Sequence, residues 1–257
     1  MTPQAKSHHV NNYRVYLGST LLFACILSTA TLIGIIILVL TPFPYSARNA
    51  AASFWCQSIT WLAKVLCGVN YKVEGLEHLQ QQDTAIVLSK HQSAWETLAF
   101  RHIFPKHSVL LKQSLLWMPI WGWALATLKP IAINREQQRA ALRILLKKGV
   151  TYINEGLWVV IFPEGTRTAP GEFKKFNAGG AILAHKTGCP VIPVAHNAGE
   201  FWSRYSFLKY PGTIQVKIGQ PIQTKGLTIQ EINSQAEAWI NQAMQEIDEQ
   251  KQAQMPN

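Results

Sequence analysis

The chain is short of charge, and of negative charge above all. Asp and Glu number 14 against 24 Lys and Arg, and charged residues make up only 15% of the sequence. The net charge of +10 implies an anionic partner: nucleic acid, anionic lipid or a phosphorylated small molecule. A hydrophobic content of 48% favours the last two. No helix-turn-helix, zinc finger or single-strand-binding signature is present, so no nucleic-acid partner is expected. Cysteine is scarce as well. Cys25, Cys56, Cys67 and Cys189 form no close pair and have no His cluster beside them. That argues against a disulfide framework or a zinc site, and for small buried hydrophobes in a reducing compartment. No metal or cofactor is expected. A Gly-x-Ser-x-Gly elbow is also missing, which argues against a serine hydrolase acting on lipids.

What the chain does have is a long uncharged run. Met1 to Arg14 is a polar, mildly basic lead whose adjacent His8 and His9 read as part of a solvated tail. Val15 to Leu40 then carries no charge. At about 1.5 Å per residue such a helix covers the ~30 Å bilayer core with some tilt, and it exceeds the apolar core of a signal peptide. It is expected to be a retained anchor, ended by Thr41-Pro42-Phe43-Pro44-Tyr45. Residues 50–69 repeat Phe54, Trp55, Trp61, Leu62, Val65, Leu66 and Val69 at helical spacing, with Gln57, Thr60 and Lys64 on another face. This amphipathic helix suits a membrane interface or packing against the globular part. The flanking charges Lys6, Arg14, Arg48 and Lys64 do not fix an orientation.

From Tyr71 onward short apolar runs alternate with helical patterns. Strands are expected at 71–73, 85–88, 108–111, 131–133, 158–162, 191–195 and 213–218. Helices are expected at 94–104, 115–125, 136–155 (interrupted at Gly149), 177–186 and 228–251, with a poorly ordered Gln-rich tail after Glu246. The alternation predicts an α/β fold with a single mixed or mostly parallel sheet flanked by helices. Two regions follow: residues 1–70 as the membrane anchor, and residues 71–257 as the α/β domain with its C-terminal helix. Pro193 inside Val191–Ala195 suggests an edge strand or a shaped wall beside a site.

Chemistry gathers at the strand ends. Ala85-Ile86-Val87-Leu88 runs into Lys90-His91-Gln92-Ser93-Ala94-Trp95-Glu96. In a continuous helix side chains five apart point roughly 140° away from each other. His91 and Glu96 can therefore meet only across a turn, with Ser93 as N-cap and Glu96 in the first helical turn. Either that pair is catalytic or Glu96 merely caps the helix. A second strand, Val159 to Phe162, is stopped by Pro163 and followed by Glu164-Gly165-Thr166-Arg167. Gly165 permits close backbone approach, Arg167 offers a bidentate fork for phosphate, and Thr166 adds a donor. Glu164 suits orienting the Arg or holding a substrate hydroxyl; a surface turn with an i to i+3 ion pair is the plain alternative. Arg135 ends the third such strand and starts a basic row with Arg139, Arg143 and Lys147. Beyond Arg135 that row is a solvated face or a contact for anionic lipid headgroups.

The blocks His91 to Glu96, Pro130 to Arg135, Phe162 to Arg167 and Val191 to Ala195 resemble the four ordered blocks of the glycerolipid acyltransferases. Within that family they are most similar to the bacterial 1-acylglycerol-3-phosphate acyltransferases, and the likeness covers roughly residues 71–218. One departure stands out: the first block of the family usually closes with Asp, and here closes with Glu96. The resemblance implies a membrane-bound O-acyltransferase of the bacterial inner membrane, with its domain on the cytoplasmic face. It would move an acyl group from acyl-CoA or an acyl-carrier protein to the sn-2 hydroxyl of lysophosphatidic acid, a step of phosphatidic acid synthesis. His91 would be the general base, Glu96 its orienting carboxylate, and main-chain N–H groups near the helix start the oxyanion donors. Arg135, Arg167, Thr166, Lys112, Glu164 and Gly165 would contact the phosphate-bearing acceptor. Leu115 to Leu128, with Trp117, Trp121 and Trp123, suits an acyl-chain groove, a core helix or a membrane-facing one. The competing outcomes are another lyso-lipid acceptor, lipid hydrolysis and simple lipid binding.

Overall fold

The computed structural model describes residues 12–253; the lead containing Lys6, His8 and His9 lies outside them. Helices α1 (Asn12–Val39) and α2 (Tyr45–Cys67) form an antiparallel hairpin. They cross closely at Gly18, where an added Cβ would stand 2.2 Å from the Leu66 carbonyl oxygen. Only a residue without a side chain allows that approach. Helix α1 is the single helix among the described residues long and apolar enough to cross a membrane. It is also docked along its length. Ser19 accepts a hydrogen bond from the Lys209 N–H at 2.9 Å, and Thr29 and Thr31 accept from the Trp55 and Trp121 indoles at 2.9 and 3.1 Å. Helix α2 buries Ala52, Cys56, Ile59, Thr60 and Ala63 against the domain, and it exposes Phe54, Trp61 and Val65. One face of the helix thus packs against the domain, and the other leaves large apolar side chains uncovered.

The remaining elements are β1 (Val69–Glu74), β2 (Ile86–Ser89), α3 (Trp95–Ile103), β3 (His107–Lys112), α4 (Trp121–Ala126), β4 (Ile131–Ile133), α5 (Gln138–Asn154), β5 (Trp158–Ile161), α6 (Gly179–Thr187), β6 (Val191–His196), α7 (Ala198–Phe201), β7 (Gly212–Ile218) and α8 (Ile229–Ala253). The described strands form one mixed sheet in the order β1-β7-β6-β2-β5-β3-β4, parallel except where β6 meets β7. The expected fold class is therefore the one observed. Strands β2 and β5 are buried at every residue, as parallel strands covered on both faces must be. Their alternate side chains feed two cores. Val87, Val160 and Ile192 face α2 and α3, whereas Ile86, Leu88, Val159 and Ile161 face α5, α6 and α8.

Several expectations need correction. The predicted helix 115–125 is a 3₁₀ turn (Gln113–Trp117) followed by the short α4, because the Pro119–Ile120 turn breaks it. Helix α5 runs unbroken through Gly149, whose bare Cα accommodates the Leu183 side chain; a Cβ there would lie 2.7 Å from Leu183 Cδ2. The Gln-rich stretch after Glu246 continues α8 to Ala253, held by buried Ile247 on its apolar stripe. Strand β6 is interior rather than an edge. It tolerates Pro193 because the β7 ladder ends at Ile218 opposite Val194, and the Gly219 N–H donates to the Pro193 carbonyl at 2.9 Å. The missing proline donor costs no rung.

Candidate active site

Strands β2, β3, β4, β5 and β6 run in one direction, so their C-terminal ends share one edge of the sheet. That edge is where an open α/β sheet presents its ligand crevice. It gathers His91 after β2, Lys112 at the end of β3, Arg135 after β4, Glu164 to Arg167 after β5, and His196 at the end of β6.

His91 Nδ1 lies 2.8 Å from Glu96 Oε1. The imidazole stacks on Phe162, centroid to centroid 4.0 Å at 17°. A flat ring contact on one side and a carboxylate at Nδ1 leave only Nε2 for other chemistry. Glu96 is fully buried, and Oε1 also accepts the Gln92 and Ser93 N–H groups at 2.9 and 2.7 Å. Burial works against its charge. The His91 contact and the Ser93 N–H act against that burial, and the carboxyl lies below the usual Glu range. Helix α3 begins at Trp95 with Ala94 in the N-cap place, and the Ser93 hydroxyl accepts the Trp95 N–H at 3.0 Å. The capping box thus survives one residue out of register, and capping and pairing with His91 are two contacts of one Glu96 oxygen. The same contacts narrow one expectation: the Gln92, Ser93 and Trp95 N–H groups are already engaged, so an oxyanion donor near the helix start would be another main-chain N–H.

Glu164 is fully buried and its ion-pair partner is Lys90 rather than Arg167. Its Oε1 pairs with the Lys90 ammonium and accepts the Thr168 hydroxyl at 3.2 Å, while Oε2 accepts the His91 N–H at 2.9 Å. Gly165 takes the left-handed turn (φ 71°) that swings the chain back, and its carbonyl accepts Arg135 Nη1 at 2.6 Å. Arg135 and Arg167 are neighbours: partial burial and then the Arg167 charge depress the Arg135 pKa. Neither guanidinium has a carboxylate partner among the described residues, in contrast to Arg204 beside Glu172. Two unneutralised guanidinium groups at one strand edge make a site for an anion. Thr166, half-buried, directly precedes Arg167 in the chain. Lys112 is exposed, opposite Ile133 in the β3–β4 register.

Sequence reasoning passed over Lys90, Thr168 and His196, all buried at this edge. The signal for Lys90 was available, since a cation directly after a fully apolar strand needs a buried partner. His196 carried none, because its position beside Lys90 depends on β6 pairing with β2. Among the described residues no group of His, Cys, Asp and Glu has a metal-binding arrangement.

An imidazole–carboxylate pair next to an anion site suits proton abstraction from a hydroxyl on a phosphorylated molecule. Residues 70–197 match the acyltransferase family. The chain is 44% identical to the 1-acyl-sn-glycerol-3-phosphate acyltransferase of Pseudomonas aeruginosa over 89% of its own length and 91% of that protein. It is also 30% identical to the enzyme of that name from Limnanthes douglasii, covering 82% of this chain and 75% of the relative. The crystal structure of the 1-acyl-sn-glycerophosphate acyltransferase PlsC from Thermotoga maritima superposes with a TM-score of 0.78 at 21% identity, covering 93% of this chain and 98% of that one. The chain belongs to the acyltransferase family, and it is an enzyme of acyl transfer.

Proposed function

We propose that the enzyme acylates the sn-2 hydroxyl of 1-acylglycerol 3-phosphate from a fatty acyl thioester, giving phosphatidic acid. The observation that carries this reading is the His91–Glu96 pair beside the unpaired Arg135 and Arg167. The two guanidinium groups hold the acceptor phosphate, with Thr166 as a further donor and the exposed Lys112 as a long-range attraction. His91 Nε2 takes the proton from the acceptor hydroxyl as its oxygen attacks the thioester carbonyl. Glu96 keeps the Nδ1 proton in place and stabilises the imidazolium, following triad logic without a serine nucleophile. Collapse of the tetrahedral intermediate breaks the C–S bond, and His91 returns its proton to the departing thiolate. The donor is acyl-CoA or acyl-carrier protein, and the relatives' shared name supports the acceptor.

Residues 12–67 serve as a membrane-docking hairpin in this reading. Leu17, Leu21, Leu27, Leu32 and Ile35 on α1 remain exposed, as do Trp61 on α2, Trp117 before α4 and Trp123 within it. Such a concentration of exposed large apolar side chains suits a membrane surface. Because α1 is tied to the domain near both its ends, an in-plane attachment that brings the sheet edge to the bilayer accounts for the surface better than a free span. The inner membrane and its cytoplasmic face suit the thioester supply.

The test is purified protein in detergent with oleoyl-CoA and 1-oleoylglycerol 3-phosphate, following free thiol and phosphatidic acid. Thiol release is expected to require the acceptor; release without it indicates hydrolysis. His91→Ala is expected to remove activity, and full retention sinks the base assignment. Arg167→Ala is expected to raise the acceptor KM by ten-fold or more, on the order of the 1.5–3 kcal/mol of a charged hydrogen bond, with the donor KM unchanged.

A further inference from the structure

One peptide bond in the site is gripped at both ends. The Lys90 carbonyl oxygen accepts a hydrogen bond from His196 Nε2 at 2.8 Å, and the His91 N–H donates to Glu164 Oε2 at 2.9 Å. These two groups belong to the same peptide plane, so fixing both sets the torsions that aim the His91 side chain. The two grips come from the two strands flanking β2 in the sheet: Glu164 follows β5 and His196 ends β6. Both side chains have 0% exposure. The oxygens of Glu164 are engaged by protein donors, with Thr168 and Lys90 on Oε1. Oε2 accepts the main-chain N–H of the base itself, and the fully buried carboxylate is turned to protein donors rather than to solvent.

The protonation states fit the task. His196 Nδ1 accepts the Ala198 N–H at 3.3 Å, which assigns the ring hydrogen to Nε2, the atom facing Lys90. Burial depresses the His196 pKa, so the ring stays a neutral single donor. Lys90 supplies the countercharge that lets a carboxylate remain ionised in a dry interior, and its ammonium is completed by the Glu172 carbonyl at 2.8 Å. A third tie, the Thr168 N–H donating to the His91 carbonyl at 2.8 Å, closes the other side of the residue.

We propose that Glu164 and His196 are positioning residues that clamp the Lys90–His91 peptide and thereby aim the His91 imidazole, with Lys90 as the ion-pair partner of the clamp. The inference rests on the general-base reading of His91. It gives Glu164 a role distinct from binding a substrate hydroxyl or orienting Arg167. Misplacing a reacting group by about 1 Å costs on the order of 10²-fold in rate, with binding little altered.

Steady-state kinetics with oleoyl-CoA and 1-oleoylglycerol 3-phosphate test this, with thermal melts as the check on folding. His196→Ala is expected to lower kcat by about 10- to 100-fold with both KM values within about two-fold. His196→Gln, whose amide N–H reaches towards the Lys90 carbonyl, is expected to recover most of the loss. The double variant Lys90→Met/Glu164→Gln keeps an acceptor oxygen for the His91 N–H without a buried charge. It is expected to retain a folded protein with the acceptor KM unchanged, and it carries the test if His196→Ala does not fold. Full kcat in a folded His196→Ala overturns the clamp, as does a Gln variant no better than Ala. A rise in acceptor KM for the double variant overturns it in favour of substrate binding. His91→Ala, run alongside, separates the two readings: activity there sinks the base assignment, whereas an inactive His91→Ala with an unimpaired His196→Ala sinks only the clamp.

Discussion

Replacing Glu96 by Gln removes one charge and almost no volume, so it isolates what the carboxylate does for His91. On the general-base reading the imidazole starts without a proton on Nε2, and its contact with Oε1 at 2.8 Å is then an ordinary hydrogen bond. Once His91 has taken the acceptor proton, the ring and the carboxylate become an ion pair shielded from water, since Glu96 is 0% exposed and His91 only 7%. With charge centres about 4 Å apart and an effective dielectric constant near 20, that attraction is about 4 kcal/mol. It exists only after proton transfer, so it lowers the barrier without tightening substrate binding. Glu96→Gln is therefore expected to lower kcat by about 10³-fold and leave both KM values within two-fold. The Gln side chain can still accept the Gln92 and Ser93 N–H groups, so the turn should hold and the melting temperature should change little. The assay is initial-rate thiol release with each substrate varied in turn. A loss of kcat under about ten-fold, or a loss confined to KM, would refute the reasoning and return Glu96 to a capping role. Glu96→Asp keeps the charge on a shorter arm and is expected to fall between Gln and the unaltered enzyme.

Two further perturbations test the fold around the site. His107 is fully buried at the start of β3, where burial and then the adjacent Arg101 push its pKa down to about 3. In the unfolded chain it titrates near its ordinary 6.5, so between those values only the unfolded state binds the proton. The stability this group contributes is therefore complete above pH 6.5 and is lost as the pH falls towards 3, by about 3 kcal/mol between pH 6.5 and 4. Chemical denaturation across that window should show a visibly flatter slope for His107→Gln, and an unchanged slope contradicts the assignment. At the helix crossing, Gly18→Val drives a side chain into the Leu66 carbonyl. A cost of about 1–3 kcal/mol is expected, read as a lower melting temperature in detergent, and no change would mean that α1 is not packed on α2 in solution.

Much of the fold could be read along the chain. Strands buried on both faces must be short, continuous apolar runs, and Ile86–Ser89, Ile131–Ile133 and Trp158–Ile161 sit within a residue of where those runs place them. The misreadings occurred where a distant partner overrode a local rule. Gly149 did not break α5 because Leu183 needs its space, and Pro193 entered an interior strand because the β7 ladder ends beside it. The Pro119–Ile120 turn split a helix that apolar content alone had predicted.

Neighbouring residues were enough to put His91, Glu96, Arg135 and the Glu164–Arg167 run at strand ends, and to show that Val15 to Leu40 carries no charge. These are properties of neighbouring residues, and hydrophobic periodicity and turn chemistry report them directly. Which strands lie side by side is a property of the folded chain alone. With β5 and β6 on either side of β2, Glu164 turns inward to the His91 main chain rather than outward to substrate, and His196 arrives beside Lys90 from a position with no local signature. A buried charge takes its role from whatever closes over it, and that is settled by strand order, to which no single stretch of the chain has access.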